Sequence, residues 1–180
     1  MAGKHYQVVV ERDHIGKLAS AKPVPAVAEL VWNGLDADAT RVDVGLEPGA
    51  LGLETVTISD NGHGIAHDEA ERLFGRLGGS WKANGSRSRT RGRILHGKEG
   101  KGRFKALALG RVAQWTSTYR DKEGRVFRFS ITIIGDNLTD VVVTEPVEVG
   151  AGVATGVEVR ITELHHAFRS LEADQAVQPF

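Results

Sequence analysis

Cysteine is absent from the 180 residues of this chain. Its absence excludes disulfide bonds, thiolate zinc sites and a cysteine nucleophile. No apolar run is long enough to span a bilayer, and no apolar core of signal-peptide length follows the first residues. We therefore expect a cytoplasmic protein with no membrane contact.

An excess of charge of either sign is also lacking, because 23 Lys and Arg residues balance 23 Asp and Glu residues. This balance argues against a uniformly basic nucleic-acid coat and against an acidic disordered tail. The charges are unevenly distributed, since residues 72–105 hold eleven basic side chains and one acidic side chain, Glu99. That segment carries +10, so the rest of the chain carries −10. The sequence therefore predicts a local anion site.

The length and the order of the patterned segments indicate one α+β domain over residues 1–180. Helical patterns cover residues 13–21, 26–37, 68–77 and 104–109, and a last helix is expected within 163–180. Strand patterns cover residues 6–11, 41–46, 53–59, 113–120, 126–134, 140–144 and 157–162. Residues 78–102 hold seven glycines and are expected to be a mobile loop. These segments predict a sandwich whose helices cover one face of a mixed sheet.

The first candidate motif is a polar stripe on the helix at residues 26–37. Glu29, Asn33 and Asp36 fall within about 60° of one another on a helix that advances roughly 100° per residue. An ordinary solvated helix face has the same pattern. In a metal-assisted site, the same polar stripe would hold Mg²⁺ through an amide oxygen and deprotonate water through a carboxylate.

The second candidate motif is the run Asp60-Asn61-Gly62-His63-Gly64-Ile65, where a strand enters a turn. The carboxylate of Asp60 suits an exocyclic amine as hydrogen-bond donor, and the two glycines allow backbone to approach a flat ligand. A plain Asp-Asn-Gly turn without a ligand is the alternative.

The third candidate motif is a glycine-rich stretch that opens the helix at residues 104–109. Its glycines free backbone N–H groups for phosphate oxygens, and neighbouring cations add charge. A flexible basic loop is the alternative. Glu99 stands where a Walker A loop needs a hydroxyl, and the strand that Walker A and Rossmann loops require is missing. The residues concerned are Gly97, Lys98, Gly100, Lys101, Gly102 and Arg103.

In this order, the three motifs resemble the GHKL superfamily of ATP-binding domains over residues 23–108. That superfamily holds gyrase B-type topoisomerase subunits, large heat-shock chaperones, histidine kinases, MutL repair proteins and microrchidia ATPases. Trp32, the run Asp38-Ala39-Thr40 and the run Ser80-Trp81-Lys82 look most like the chaperone, MutL and microrchidia branch. The resemblance implies the Bergerat fold, a two-layer α/β sandwich with a mixed, mainly antiparallel sheet. It also implies the N-terminal part of a longer protein.

The resemblance implies a role for each motif residue. Glu29 would be the general base that activates water, and Asn33 would ligate Mg²⁺. The nucleotide pocket would be formed by Asp36, Ala37, Asp60, Gly62, Gly64 and Ile65, with Asp60 on the adenine amine. Residues 78–96 would be the ATP lid, with Ser80 and Lys82 near its first hinge. The phosphates would be held by Gly97, Lys98, Gly100, Lys101 and Gly102.

This sequence departs from the superfamily pattern in two places. Relatives carry Gly-Thr on the late strand, whereas here Val157 follows Gly156 and Thr155 precedes it, so either Thr155 substitutes or that contact is lost. Superfamily ATPases also often receive a lysine from a following domain. We therefore expect slow hydrolysis by this chain alone.

Three functions remain open. The leading one is an ATPase that uses Mg²⁺ and couples lid closure to pairing with a second copy. A nucleotide-gated dimerisation module with negligible turnover is the alternative, and a histidine-kinase catalytic domain ranks last. The arginines at positions 87, 89, 91 and 93 belong to the lid, touch DNA, or are a solvated loop. His63 and His67 have no evident third ligand, which disfavours a metal pair.

Overall fold

The computed structural model describes residues 4–7, 21–74, 87–88, 90–95, 102–135, 140–168 and 171. The helices are α1 (Pro23–Asp36), α2 (His67–Phe74) and a 3₁₀-helix (Gly102–Ala108). The strands are β1 (Lys4–Gln7), β2 (Val42–Gly49), β3 (Gly52–Asp60), β4 (Gly110–Arg120), β5 (Val126–Ile134), β6 (Asp140–Val143), β7 (Val147–Val149) and β8 (Gly156–Leu164).

The described strands form one sheet in the order β1-β6-β5-β4-β8-β3-β2, with β7 paired to β5. Each pairing between these strands is antiparallel. The predicted α+β sandwich with a mainly antiparallel sheet is thereby confirmed. The order brings β3 next to β8 and β8 next to β4, so their ends lie side by side.

The core lies between the sheet and the helices. Residues that alternate along the central strands, such as Ile58, Trp115 and Ile161, point toward the helices and are buried. Phe74 of α2 packs edge-on against Trp115, with ring centroids 5.0 Å apart. The other face of the sheet is polar, as the ion pair between Arg160 and Glu47 illustrates. One apolar face and one polar face explain the period-two patterns of these strands.

Helix α1 begins at Pro23, where proline's missing N–H costs nothing because the first helical N–H groups have no intrahelical acceptor. Ala26, Leu30 and Gly34 are buried on its apolar face. Gly34 is needed there because a Cβ would lie 2.9 Å from Cβ of Asp60. The helix therefore lies directly over the end of β3.

Several element boundaries differ from the predictions. Residues 163–164, expected to begin a helix, extend β8 through pairing of Leu164 with Gly110. The apolar helix expected at 104–109 is a 3₁₀-helix that begins at Gly102. The short strand β7 was not predicted. Most of the helices expected at 13–21 and 163–180 lies outside the described residues. Within the described part, no helix has both the length and the apolar character to cross a membrane.

Candidate functional site

Asp60, at the end of β3, presents a half-buried carboxylate toward α1. Its Oδ1 accepts hydrogen bonds from the N–H groups of Gly62 at 2.8 Å and Val157 at 3.3 Å. Burial raises the pKa of Asp60, although these two bonds and nearby His63 act in the opposite direction. Among the described residues, none donates a hydrogen bond to Oδ2. One acceptor oxygen is therefore left for a ligand.

The turn after Asp60 is closely packed by backbone on both sides. A Cβ at Gly62 would lie 2.6 Å from the Ala37 carbonyl oxygen, and the N–H of His63 donates to that oxygen at 3.0 Å. Gly64 has φ of 74° and faces the Thr118 carbonyl, which a Cβ would overlap. The predicted pocket residues are thus close together, since Gly62 and Gly64 belong to this turn and Ala37 contacts it.

Thr155 lies against the same turn, since its hydroxyl donates to the Gly62 carbonyl at 2.8 Å. Gly156 follows with its Cα against the Asp60 carbonyl, where a Cβ would overlap that oxygen. Val157 then supplies the backbone N–H to Asp60. The threonine hydroxyl on this turn thus comes from Thr155, the residue directly before β8.

Ser117 of β4 is a further site-forming residue, and the sequence did not predict it. Its buried hydroxyl accepts from the Ile65 N–H at 2.8 Å and donates to the Ile65 carbonyl at 2.9 Å. Both backbone groups of Ile65 are therefore satisfied by one side chain. The sequence signal was a small hydroxyl side chain on the same face of β4 as the apolar residues Ala113 and Trp115.

Glu29 and Asn33 of α1 meet the start of the 3₁₀-helix. A Cβ at Gly102 would lie 2.8 Å from Oε2 of Glu29 and 3.6 Å from the side-chain oxygen and nitrogen of Asn33. Gly102 is therefore in close contact with the Glu29 carboxylate, and the Asn33 amide lies beside it. Asp36, predicted on the same polar stripe, is buried one turn later in the helix.

The remaining predicted phosphate and hinge residues lie outside the described residues. They are Ser80, Lys82, Gly97, Lys98, Gly100 and Lys101. Among the residues that are described, no cluster of three or more His, Asp or Glu side chains is placed to hold a metal ion. His63 and His67 contact separate backbone carbonyls, those of Gly64 and Thr144.

Part of the arginine-rich segment forms a hairpin packed on the end of α1, which corrects the mobile loop expected there. We call residues 87–88 and 90–95 the arginine hairpin. Arg87 and Ile94 form a β-bridge, and the N–H of Ser88 donates to the Arg93 carbonyl at 2.9 Å. The Arg93 guanidinium donates to carbonyl oxygens of the turn that ends α1. The described arginines Arg87, Arg91 and Arg93 are therefore not equivalent.

Comparison with known families agrees with this geometry. A family model described as "Histidine kinase-, DNA gyrase B-, and HSP90-like ATPase" matches residues 21–154, which include α1, the Asp60 turn and the 3₁₀-helix. The chain belongs to this ATPase family. The family's ATP-binding module, called GHKL above, is thus the module that these residues form.

Curated relatives match this GHKL domain over a shorter stretch. The DNA mismatch repair protein MutL of Exiguobacterium sibiricum is 51% identical over 55 residues, 31% of this chain and 9% of that protein. MutL of Streptococcus pneumoniae strain CGSP14 is 48% identical over 55 residues, 31% of this chain and 8% of that protein. HexB of Streptococcus pneumoniae strain R6 matches to the same extent. The match therefore spans a small fraction of each relative's length.

Proposed function

We propose that this chain hydrolyses ATP with Mg²⁺ and that lid closure pairs it with a second copy. One observation carries the proposal: α1 touches both of the other motifs. Glu29 and Asn33 lie beside Gly102 at the start of the 3₁₀-helix, and the carbonyl of Ala37 accepts from the turn after Asp60. A nucleotide that follows α1 would meet a base-binding carboxylate at one end and a water-activating carboxylate at the other.

The base end suits adenine. Oδ1 of Asp60 is occupied by two backbone N–H groups, so Oδ2 would accept a hydrogen bond from the exocyclic amine. The amine of adenine is a donor, whereas guanine carries an acceptor oxygen at that position. Asp60 thereby favours ATP over GTP. Thr155 and Ser117 act on this end by holding the backbone of Gly62 and Ile65.

The phosphate end suits general-base catalysis of hydrolysis. Glu29 would take a proton from the attacking water, and its carboxylate lies beside Gly102, at the end of the predicted phosphate-binding stretch. The side-chain oxygen of Asn33 is a hard donor of the kind Mg²⁺ prefers, and it lies beside the same glycine. Bound Mg²⁺ supplies neutralisation of charge on the phosphate oxygens.

Calorimetry with a non-hydrolysable ATP analogue tests the binding half of the proposal. The wild-type chain should bind the analogue, and Asp60→Asn should weaken binding at least about tenfold, because an amide NH₂ would face the adenine amine. Asp43→Asn removes an exposed carboxylate of β2 and should leave affinity unchanged. Absence of wild-type binding at about millimolar analogue overturns the proposal.

Pairing with a second copy is the dimerisation half of the proposal. Sedimentation of the wild-type chain with and without the analogue should show a monomer shifting to a dimer only when both analogue and Mg²⁺ are present. A dimer that forms while phosphate release stays negligible would favour the second candidate, a nucleotide-gated dimerisation module. Labelled phosphate transferred to protein instead of water would favour a histidine kinase.

DNA is the polyanion to test at the arginine hairpin, because the relatives are named DNA mismatch repair proteins. Arg93 faces α1 and the Arg87 side chain donates to the Gly92 carbonyl, whereas Arg91 is exposed. If the hairpin contacts DNA, Arg91→Ala should reduce the salt slope of binding by about one phosphate contact. An unchanged slope would remove Arg91 from the contact.

A further inference from the structure

The turn at residues 36–39, which ends α1, is shared by two neighbours. On one side, the Ala37 carbonyl accepts from the N–H of His63 at 3.0 Å and lies against Gly62 of the base-pocket turn. On the other side, the arginine hairpin hydrogen-bonds to Asp38 and to the carbonyls of Leu35 and Ala39. The hairpin and the base pocket are thus connected through four residues of backbone.

Asp38 binds the arginine hairpin through its side-chain carboxylate. Its backbone has φ of 64°, a left-handed conformation that Asp tolerates better than most residues. Its carboxylate accepts from the N–H groups of Thr90 at 2.7 Å and Arg91 at 3.1 Å. Slight burial raises the pKa of Asp38, but hydrogen bonds from the Ser88 hydroxyl, these two N–H groups and the Thr90 hydroxyl outweigh it and lower that pKa. The carboxylate is therefore ionised at neutral pH.

Arg93 makes the complementary contact from the hairpin to the helix. Its Nη1 donates to the Ala39 carbonyl at 2.9 Å and to the Leu35 carbonyl at 3.3 Å. The last turn of α1 contains no basic residue of its own. A cation at a helix C-terminus stabilises the exposed carbonyls and the helix dipole. Arg93 thus supplies to α1 the positive charge that its own sequence lacks.

We propose that Asp38 and Arg93 are positioning residues of the nucleotide site, which hold the arginine hairpin on the turn at residues 36–39 so that hairpin docking and ATP binding stabilise each other. The inference rests on the proposed ATP binding. Because Leu35 and Ala39 lie on either side of Asp36 and Ala37 in the chain, release of the hairpin would free one side of the wall that these two residues form. ATP binding requires this wall to be in place. By thermodynamic linkage, ATP binding must therefore also favour the docked hairpin.

Hydrogen exchange of the full chain, read at the amides of Ser88, Thr90, Arg91 and Arg93, measures docking directly. Asp38→Gly keeps the left-handed backbone and removes both acceptor oxygens. Asp38→Asn keeps one acceptor, and Arg93→Lys keeps the charge but loses the guanidinium. Arg91→Ala is the matched control, because no hydrogen bond among the described residues uses the Arg91 guanidinium. Unchanged thermal melting of the variants would show that the domain still folds.

Without nucleotide, Asp38→Gly should speed exchange at Thr90 and Arg91 at least about tenfold, with Asp38→Asn intermediate and Arg91→Ala close to wild type. With the ATP analogue, the wild-type hairpin should exchange more slowly, and Asp38→Gly should bind the analogue about fivefold or more weakly. A merely structural contact would change exchange without this reciprocal effect.

The outcomes separate the inference from the proposed function. Unchanged exchange in Asp38→Gly without nucleotide overturns the docking contact itself. Faster exchange with wild-type analogue affinity overturns the coupling and leaves ATP binding intact. Failure of the wild-type chain to bind the analogue overturns the proposed function and the coupling together, whereas the exchange measured without nucleotide still decides the docking contact.

Discussion

The two ends of the proposed nucleotide site are held in different ways. At the base end, glycines bring backbone against backbone: Gly62 on the Ala37 carbonyl, Gly64 on the Thr118 carbonyl, and Gly156 on the Asp60 carbonyl. At the phosphate end, the contacts run through side chains, with Glu29 and Asn33 over Gly102. Backbone contacts leave no room to adjust, whereas side chains can move. We therefore expect substitutions at the base end to cost folding and those at the phosphate end to cost turnover.

The largest expected effect is on folding stability at the base end. Gly64→Ala must place a methyl group on the Thr118 carbonyl while φ stays near 74°, so we expect a loss of about 3 kcal/mol in the free energy of unfolding. Gly124→Ala is the control, since Gly124 has φ of 85° but open space around it. It should cost only about 1 kcal/mol. If urea denaturation showed equal losses of unfolding free energy for Gly64→Ala and Gly124→Ala, the rigidity of the base end would be contradicted.

A smaller effect, on turnover alone, is expected at the phosphate end. In Gly102→Ala the new methyl group meets the flexible end of Glu29, so the carboxylate moves aside while the fold persists. Phosphate release should fall about tenfold or more, and stability should stay level or rise, since alanine favours helices over glycine by about 1 kcal/mol. Gly45→Ala, whose Cβ would make ordinary contact with Thr57, is the control. If Gly102→Ala lost stability and kept wild-type phosphate release, the expected difference between the base end and the phosphate end would be contradicted.

The smallest effect is a pH dependence of the nucleotide-free chain. Burial raises the pKa of Asp60 above its ordinary value of 3.8, so the folded state binds more protons than the unfolded state just above that pH. As pH rises from about 4 through the folded-state pKa, this group lowers stability, and above that pKa the cost is constant. Asp60→Asn removes this pH-dependent contribution to stability. The melting temperature of the variant, relative to that of the wild type at the same pH, should therefore rise as the pH rises from about 4 through the folded-state pKa of Asp60. A difference that is flat with pH would contradict the burial of this carboxylate.

Sequence patterns sufficed where the determinants are local. The period-two strands predicted the sheet because one face is buried, and the apolar stripe of α1 with its prolines predicted that helix. The strand β7 was not predicted because its three residues, between Pro146 and Gly150, are too few to show an alternating pattern. Asp36 was placed on a polar stripe, yet it is buried, because helix periodicity does not show which part of a face tertiary structure covers.

Long-range contacts were not predictable from motifs. Ser117 binds Ile65, 52 positions away, and Asp38 binds Thr90, also 52 positions away. Neither pairing leaves a local pattern, because each depends on how the sheet and the α1 turn are placed. The motif residues Glu29, Asn33, Asp60 and Gly102 were identifiable because the spacing of each motif reflects a local helix or turn. Whether such motif residues come near one another depends on the packing of α1 over the sheet, which brings Glu29 and Asn33 to Gly102 and Gly34 to Asp60.

Phosphate release by Glu29→Gln, measured beside the affinity of that variant for the ATP analogue, tests the central claim most directly. The amide keeps the size of the side chain beside Gly102 but cannot take a proton from water. The account predicts affinity within about threefold of wild type and phosphate release reduced about a hundredfold. Wild-type phosphate release by a variant that still binds the analogue would contradict it.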